Sequence, residues 1–508
     1  MTEITKGPKF TSSLKWQSVN VTVQVVLQLI FMAALARLIT PDAFGVMAIA
    51  LVVVGFIEIF AQVGIGPALI QNTNVSKAHR RTAFIFSLLL GIIFFAGTYL
   101  AAPLVAEFYE NEQLTEVLRW IALSFIISGA SVVPRSMLIK EMKFKSLFFS
   151  SGIAMVLGNL VIGLGMALNG FEIWSYVFAL LSQNAILGVC YWIAHPGPIG
   201  IKMDSSALRE MVGYGGRSTI FNMLNYAAGK VDTMIVAAHS TDWKLTGFYD
   251  RSSYLMGLPV TVLGKLGDSV LFSGMSMLQD ELDRLRNTVL KASYALSTLV
   301  IPLTALLVLR AENFTVLILG PLYVEATPIV EVLFLCVALR SFIKIGDASM
   351  RATDSLISGT LIKLGFLIAV SAGVWYSKDL VIVAAAAVVY ATLAQTLTVA
   401  LWMVASLKVS LPRLLKSLLP GILLSLPVIG IDYLFKSGII DMAMLLPSCK
   451  VDELIQILKI AYVMLGAGTI ALITAVAVPE ILDGGFPEMR RQLMGKLPES
   501  KIKQRLTR

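Results

Sequence analysis

The stretch GKVDTMIVAAHSTDWKLTGFYDRSSYLMG, residues 229–257, decides the fold, because it reads as two apolar segments joined by a short polar turn. Lys230 and Asp232 lie in the first segment, and Asp250 and Arg251 open the second. Two such segments are typical of a helical hairpin that crosses a membrane twice. A charge inside such a hairpin is costly and usually faces a cavity or a partner.

The composition extends this interpretation to the whole chain. Of the 508 residues, 57% are hydrophobic and only 14% are charged, whereas soluble domains carry about 25% charged residues. The apolar runs continue to about residue 480, and no polar block is long enough to form a separate globular domain. We therefore expect an all-α integral membrane protein.

Windows of roughly 20 apolar residues, the length that crosses a bilayer core, predict about fourteen transmembrane helices. The predicted spans are 14–38, 43–70, 82–104, 115–138, 146–168, 172–194, 211–237, 246–274, 289–309, 325–346, 352–375, 380–406, 413–435 and 455–479. Lysine and arginine concentrate in every second loop, for example between residues 135 and 145, whereas the alternate loops are sparse in bases. Because cytoplasmic loops accumulate these residues, we expect both termini in the cytoplasm.

The net charge of +9 needs no nucleic-acid partner. The tail 481–508 carries seven bases and three acids, which suits a cytoplasmic segment attracted to anionic lipid, with a docking segment for a partner as the alternative. The chain has no phosphate-binding G-x-x-x-x-G-K-[ST] loop, and its three cysteines and three histidines show no ligand spacing. We predict no cofactor, no metal site and no catalysis, so the sequence favours movement of a substrate.

Faint internal repeats indicate two lobes. LARLITPDAFGVMAIA (35–50) resembles VAAHSTDWKLTGFYDRS (236–252), with Gly45 and Gly247 in equivalent places, and segment 114–145 resembles 330–355. Six spans separate the members of each pair, which predicts a parallel repeat about an axis normal to the membrane. The expected domains are a first lobe at 1–200 (spans one to six), a second lobe at 201–408 (spans seven to twelve), and two extra C-terminal spans at 409–480.

Four segments carry a family resemblance. They are LITPDAFGVMAIALVVVGFIEIFAQVGIGPALIQ (38–71), VPRSMLIKEMKFKSL (133–147), GYGGRSTIFNMLNYAAGKVDTMIVA (213–237) with GFYDRSSYLMGLPV (247–260), and LILGPLYVEATPIVEVL (317–333). Together they resemble Wzx-type polysaccharide-transport flippases of the multidrug/oligosaccharidyl-lipid/polysaccharide exporter superfamily, over roughly residues 10–400.

The resemblance implies a function. Such flippases move undecaprenyl-pyrophosphate-linked oligosaccharides across the bacterial inner membrane by alternating access, for exopolysaccharide, capsule or O-antigen synthesis. The implied partners are the lipid-linked oligosaccharide, membrane lipids, a polysaccharide polymerase and glycosyltransferases.

A pyrophosphate can cross hydrocarbon only along a polar path, and bases in that path would bind it. The predicted substrate-binding bases are Arg217, Arg251, Lys265, Arg340 and Lys363. Lys363 is the strongest candidate because it lies mid-span, where its ammonium cannot reach the headgroups. Lys265 could instead be neutralised by Asp268 on the same helix face. Arg340 and Lys344, a further base near the inner end of span ten, could extend to the headgroups.

Polar side chains repeat on the first helix of each predicted lobe. Asn20, Gln24 and Gln28 recur every four residues, and Asn222 and Asn225 lie on span seven. These stripes are predicted to bind sugar hydroxyls; hydrogen bonding between helices is the alternative.

Three intramembrane acids are predicted to couple transport to an ion: Glu58, Asp232 and Asp268. A desolvated carboxylate could take up and release a proton during the cycle. For Glu58 a purely structural hydrogen bond is the alternative.

Two other functions remain open. A multidrug antiporter of the same superfamily would need acids in its cavity, and the basic excess of the second lobe argues against it. A membrane polysaccharide polymerase or ligase would need a large outer loop with catalytic bases, but the loop at 436–454 holds only Lys436 and Lys450.

Overall fold

The computed structural model describes residues 8–61, 65–72, 75–197, 200, 203–267, 275, 278 and 281–437. Its regular elements in these ranges are all helical. They are α1 (Pro8–Leu38), α2 (Pro41–Ala61), α3 (Ile65–Gln71), α4 (Lys77–Phe108), α5 (Gln113–Ile121), α6 (Leu123–Lys140), α7 (Phe144–Ala154), a π-helical segment (Met155–Gly163), α8 (Leu164–Leu168), α9 (Ile173–Ala194), α10 (Ser205–His239), α11 (Trp243–Gly267), α12 (Leu282–Leu309), α13 (Ala311–Leu319), a 3-10 helix (Pro321–Ala326), α14 (Thr327–Phe334), α15 (Cys336–Ala352), α16 (Leu356–Ser377), α17 (Val381–Ser406), α18 (Leu411–Lys416) and α19 (Leu419–Lys436).

The described helices confirm an all-α integral membrane protein. Ten helical stretches are long and apolar enough to cross a bilayer. Helices α1, α10 and α11 are not among the ten; in α1 the apolar stretch found among the described residues is Val23–Leu38, which is shorter than a full span. The count of fourteen spans stays a prediction, because the span at 455–479 and the basic tail lie outside the described residues.

The chain divides into two compact units. The first contains the chain up to Asp250 together with Ile318–Tyr323, and the second contains Arg251–Leu317 and the chain from Val324 onward. The predicted lobe boundaries at residues 200 and 408 stay predictions.

Helices of the first unit cross closely at glycines. A Cβ on Gly91 of α4 would lie 2.5 Å from the carbonyl oxygen of Phe125 on α6, and a Cβ on Gly129 of α6 would lie equally close to the carbonyl oxygen of Ser87 on α4. The contact is reciprocal, because Phe125 precedes Gly129 by four residues and Ser87 precedes Gly91 by four residues. Small residues allow such backbone approach where hydrophobic association between helices is weak, as it is inside a membrane.

The second unit is organised around α12. Helix α19 packs along it, where Gly421 leaves no room for a side chain against Ser297 and the Ser297 hydroxyl donates to the carbonyl oxygen of Ser417 at 2.6 Å. Val289 of α12, Ile345 of α15 and Met403 of α17 belong to one buried cluster in this unit.

Helix α13 differs from the sequence expectation, which placed only a loop between the ninth and tenth spans. Its sequence AENFTVLIL is short and apolar, so a window of twenty residues cannot detect it. The last two residues of α13 and the residues that follow it, together Ile318–Tyr323, belong to the first unit.

Candidate functional site

Three charged residues of the α10–α11 hairpin, Lys230, Asp232 and Asp250, have partners on the opposite helix. Lys230 Nζ lies 3.8 Å from Asp250 Oδ1; the side chain of Lys230 is 39% exposed and that of Asp250 only 6%. The Tyr249 hydroxyl donates to Asp232 Oδ2 at 2.9 Å, and the backbone N–H of Thr233 donates to Asp232 Oδ1. The hairpin is therefore joined by one ion pair and one charge-assisted hydrogen bond.

Helix α2 contributes a third side to this cluster. The Tyr226 hydroxyl of α10 donates to the carbonyl oxygens of Leu51 and Val52, at 3.1 and 3.3 Å. It passes α2 at Gly55, where any Cβ would overlap the phenol. The carboxylates of Glu58 and Asp250 both act electrostatically on this hydroxyl. Two acids from α2 and α11 thus lie near one tyrosine and one partly exposed lysine of α10, an arrangement able to hold and release a cation or a proton.

The two repeat-equivalent glycines meet in the first unit. A Cβ on Gly45 would overlap the carbonyl oxygen of Trp243, and a Cβ on Gly247 would overlap that of Pro41. The contact is reciprocal, because Trp243 precedes Gly247 by four residues and Pro41 precedes Gly45 by four residues. The two segments paired by the faint sequence match are thus in direct backbone contact, and the two-lobe repeat itself stays a prediction.

A buried aromatic group surrounds this glycine crossing. The Tyr323 ring centroid lies 6.2 Å from that of Phe44 and 5.7 Å from that of Phe248, in edge-to-face arrangements. All three side chains are fully or almost fully buried. Nearby, the Arg37 guanidinium donates to the carbonyl oxygen of Ile318 at 3.1 Å, which attaches the segment Ile318–Tyr323 to the end of α1.

The second unit contains a basic cluster on α15 and α16. Lys363 Nζ lies 3.5 Å from Asp347 Oδ2, with both side chains less than one-fifth exposed. Lys344 and Arg351 of α15 repel the Lys363 ammonium. The basic cluster, defined as Lys344, Asp347, Arg351 and Lys363, therefore has three bases and one acid.

The spacing of charged residues along α15 explains why most members of the basic cluster lie close together. Arg340, Lys344, Asp347 and Arg351 are spaced by four, three and four residues, which places them on one helix face. Sequence reasoning found the first two but missed Asp347 and Arg351, although the same spacing could have identified them. It also left Asp250 out of the predicted site.

The other predicted site residues are dispersed. Asn20 is buried and accepts a hydrogen bond from Gln24 at 3.1 Å within α1, while Gln28 and Asn225 are half-buried. Arg251 is buried, with its guanidinium 5.2 Å from the centre of the Tyr254 ring.

Four predicted residues lie outside what the structure describes: Asp268, and the side chains of Arg217, Asn222 and Lys265. The roles assigned to all these residues stay predictions. Within the described ranges, no three histidine, cysteine or acidic side chains converge as metal ligands would.

The chain is similar in sequence and in fold to known membrane proteins. The chain is 24% identical over 349 residues to the teichuronic acid biosynthesis protein TuaB of Bacillus subtilis, covering 67% of this chain and 70% of TuaB. It is 21% identical over 336 residues to the lipopolysaccharide biosynthesis protein WzxC of Escherichia coli, covering 66% and 68%. The fold is similar to that of the lipid II flippase MurJ in an inward closed conformation, with a TM-score of 0.66 and 15% identity over 89% of this chain and 98% of MurJ.

The sequence pattern of the family described as polysaccharide biosynthesis protein matches residues 34–328. This match covers more than half of the chain and includes Gly45, Gly247 and the charged α10–α11 hairpin. It confirms the resemblance seen in the sequence: the chain belongs to the polysaccharide biosynthesis protein family.

Proposed function

We propose that this protein is a flippase that moves an undecaprenyl-pyrophosphate-linked oligosaccharide across the bacterial cytoplasmic membrane by alternating access. Family membership and the similarity to proteins named for teichuronic acid and lipopolysaccharide biosynthesis support this function. Both termini lie in the cytoplasm in this proposal. The protein performs no catalysis itself, and it acts between the glycosyltransferases that build the oligosaccharide and the polymerase that extends it.

The basic cluster is the observation that carries the proposal. The pyrophosphate has two phosphoryl groups that lose their hydration when they leave water, and bases must replace that hydration. Lys363 and Lys344 offer ammonium donors, and Arg351 offers a planar fork that matches phosphate oxygens. Asp347 pairs with Lys363 and keeps its ammonium oriented until a substrate anion takes its place.

The depth of the basic cluster suits a first binding site. Lys363 is the eighth residue of α16, so at 1.5 Å per residue it lies about 10 Å from the start of that helix. On the proposed topology this is the cytoplasmic side of the bilayer midplane, where the lipid-linked substrate is made.

In this proposal the remaining predicted residues bind the pyrophosphate at later points of the route or bind the sugars. Arg217, Arg251, Lys265 and Arg340 offer the pyrophosphate further contacts along the route. The amide stripes Asn20, Gln24 and Gln28, with Asn222 and Asn225, bind sugar hydroxyls.

Ion coupling belongs to the acids around Tyr226. Glu58 and Asp232 were predicted for this role together with Asp268, and the pairing of Lys230 with Asp250 adds a fourth acid. Protonation of Asp250 would release Lys230, whose exposed ammonium could then move. In this proposal the Gly45–Gly247 crossing holds the periplasmic ends of α2 and α11 together, and it separates when the protein opens outward.

The proposal is tested by binding of undecaprenyl pyrophosphate and undecaprenyl monophosphate to the purified chain. We expect the pyrophosphate to bind at least about tenfold more tightly, the effect of one added charge-assisted contact. K363M should abolish that preference, whereas K416M, at an exposed lysine of α18, should retain it. Equal affinity of the wild-type protein for the two lipids would contradict the proposal.

A transport assay tests the direction of movement. The wild-type chain in liposomes should expose a lipid-linked oligosaccharide to an added glycosidase on the opposite leaflet, and K363M should slow this exposure. Transport at the wild-type rate by K363M would remove the basic cluster from the mechanism.

A further inference from the structure

An aromatic cup lies on the first unit, away from the charged hairpin. Helix α4 contributes Phe95 and Tyr99, α5 contributes Trp120, and α9 contributes Trp174 and Phe178 to a broadly open cavity of about 580 Å³. The rings are packed against one another: the Trp120 centroid lies 5.3 Å from that of Phe178 and 6.5 Å from that of Trp174. The aromatic cup is therefore a built concavity and not a row of separate interfacial rings.

One acid and one base complete the aromatic cup. Arg119 stacks its guanidinium on the Tyr99 ring, 4.5 Å from the ring centre, and its Nε–H points at the Tyr99 carbonyl oxygen at 3.5 Å. Stacking fixes the plane of the guanidinium and leaves its terminal nitrogens available for a ligand. Glu116 lines the same cavity one turn earlier, and in the described part of the chain the two side chains form no ion pair.

Helix α5 presents these residues because it is amphipathic. It buries Leu114, Val117, Leu118 and Ile121, so Glu116, Arg119 and Trp120 fall on the opposite face. The aromatic cup lies near the loops at 109–112 and 169–172, which join α4 to α5 and α8 to α9. On the proposed topology these loops are periplasmic, which places the aromatic cup at the outer leaflet interface.

We propose that the aromatic cup binds one zwitterionic phospholipid of the outer leaflet, with its phosphate on Arg119 and its ammonium on Glu116. Side chains three residues apart on a helix have Cβ atoms about 5–6 Å apart, and an ethanolamine headgroup separates its phosphate from its ammonium by two carbons. The rings take the glycerol and the upper acyl chains, because aromatic side chains favour the boundary between headgroups and hydrocarbon. An anionic headgroup would use Arg119 but would meet the Glu116 carboxylate unfavourably.

The bound lipid would tie α4, α5 and α9 together within the first unit. This role does not depend on the identity of the transported substrate. A lipid that binds the folded protein and not the unfolded chain raises its apparent stability. Binding should therefore appear both as retention of the lipid and as thermal stabilisation.

The experiment uses the full chain purified in detergent, with phosphatidylethanolamine or phosphatidylglycerol of identical acyl chains added in turn. Native mass spectrometry counts retained lipids, and a thermal unfolding scan measures stabilisation. We expect selective retention of one phosphatidylethanolamine and a higher unfolding temperature with that lipid alone. R119Q should lower its retention about tenfold, and E116Q should make the two lipids equivalent.

Matched controls separate the aromatic cup from general surface charge. E112Q removes an exposed carboxylate just before α5, and R284Q removes an exposed guanidinium on α12; neither residue lines the cavity. Both controls should retain the wild-type preference. Equal retention of the two lipids by the wild-type chain, a preference for phosphatidylglycerol, or an unchanged preference in E116Q would each overturn the proposal.

Discussion

The glycine crossing makes a sharp prediction for Gly247→Ala. A Cβ on Gly247 would overlap the carbonyl oxygen of Pro41 and lie 2.8 Å from its carbonyl carbon, where real Cβ atoms are essentially never found closer than 3.0 Å. Both obstacles are backbone atoms, so no side chain can move aside. The helices α2 and α11 would have to separate by about 1 Å at this point, which a close-packed contact does not absorb.

The size of the effect follows from two opposing contributions. Overpacking a close contact costs about 1–3 kcal/mol, whereas replacing a helical glycine by alanine stabilises the helix by about 1 kcal/mol. The gain in helix stability is the same whether α2 and α11 are in contact at the glycines (the joined arrangement) or apart (the separated arrangement). The overpacking cost arises only in the joined arrangement. The separated arrangement should therefore gain about tenfold or more in population relative to the joined arrangement.

Cysteine labelling measures this change. Thr246 is 1% exposed, so a cysteine at that position in a background lacking Cys190, Cys336 and Cys449 should react slowly with a membrane-impermeant maleimide. Gly247→Ala should raise its labelling rate about tenfold. Gly257→Ala is the matched control, because it lies on the same helix and a Cβ there meets nothing within 4 Å. Equal labelling in the two variants would refute the argument.

Three further predictions concern charged groups. Arg310 Nε lies 2.6 Å from Asp432 Oδ1 in a pair almost wholly buried between α12 and α19; D432N should lower the free energy of unfolding by about 3–5 kcal/mol, and the double variant R310M/D432L should recover most of this loss in thermal unfolding scans. The hydrogen bond from Lys143 is the main cause that holds the pKa of Glu141 below its usual value. The ionised Glu141 therefore stabilises the folded protein at pH values above the ordinary carboxyl pKa, and this stabilisation disappears as the pH falls through the lowered pKa of Glu141. The difference in unfolding temperature between the wild-type protein and E141Q should accordingly shrink below about pH 4, and a constant difference would exclude this cause. For coupling, E58Q should transport substrate at a rate that no longer responds to an imposed proton gradient, whereas a wild-type response in that variant would leave Glu58 with a structural role only.

The fold class could be predicted from the sequence because it rests on composition and on window length. Both quantities are local, and the described helices α4, α6, α9 and α12 overlap the predicted spans closely. The short helix α13 escaped prediction because a nine-residue apolar helix is shorter than a span.

The candidate site was predictable in its residue types but not in its pairings. Lys230 and Asp232 are two residues apart and so face different directions on α10, and each has a partner on α11. It did not identify those partners as Asp250 and Tyr249, because the rotation of one helix relative to the next depends on packing. The same holds for Lys363 and Asp347, which come from different helices.

The reciprocal contact of Gly45 and Gly247 links a pattern in the sequence to a contact in the structure. The faint match around Gly45 and Gly247 predicts an internal repeat, and the matched segments are in direct backbone contact. The predicted repeat would place such a contact at its axis, where one kind of substitution would alter both sides of the contact. Because a Cβ on either glycine would overlap a backbone carbonyl oxygen of the other helix, glycine at both positions is the residue compatible with close contact between α2 and α11.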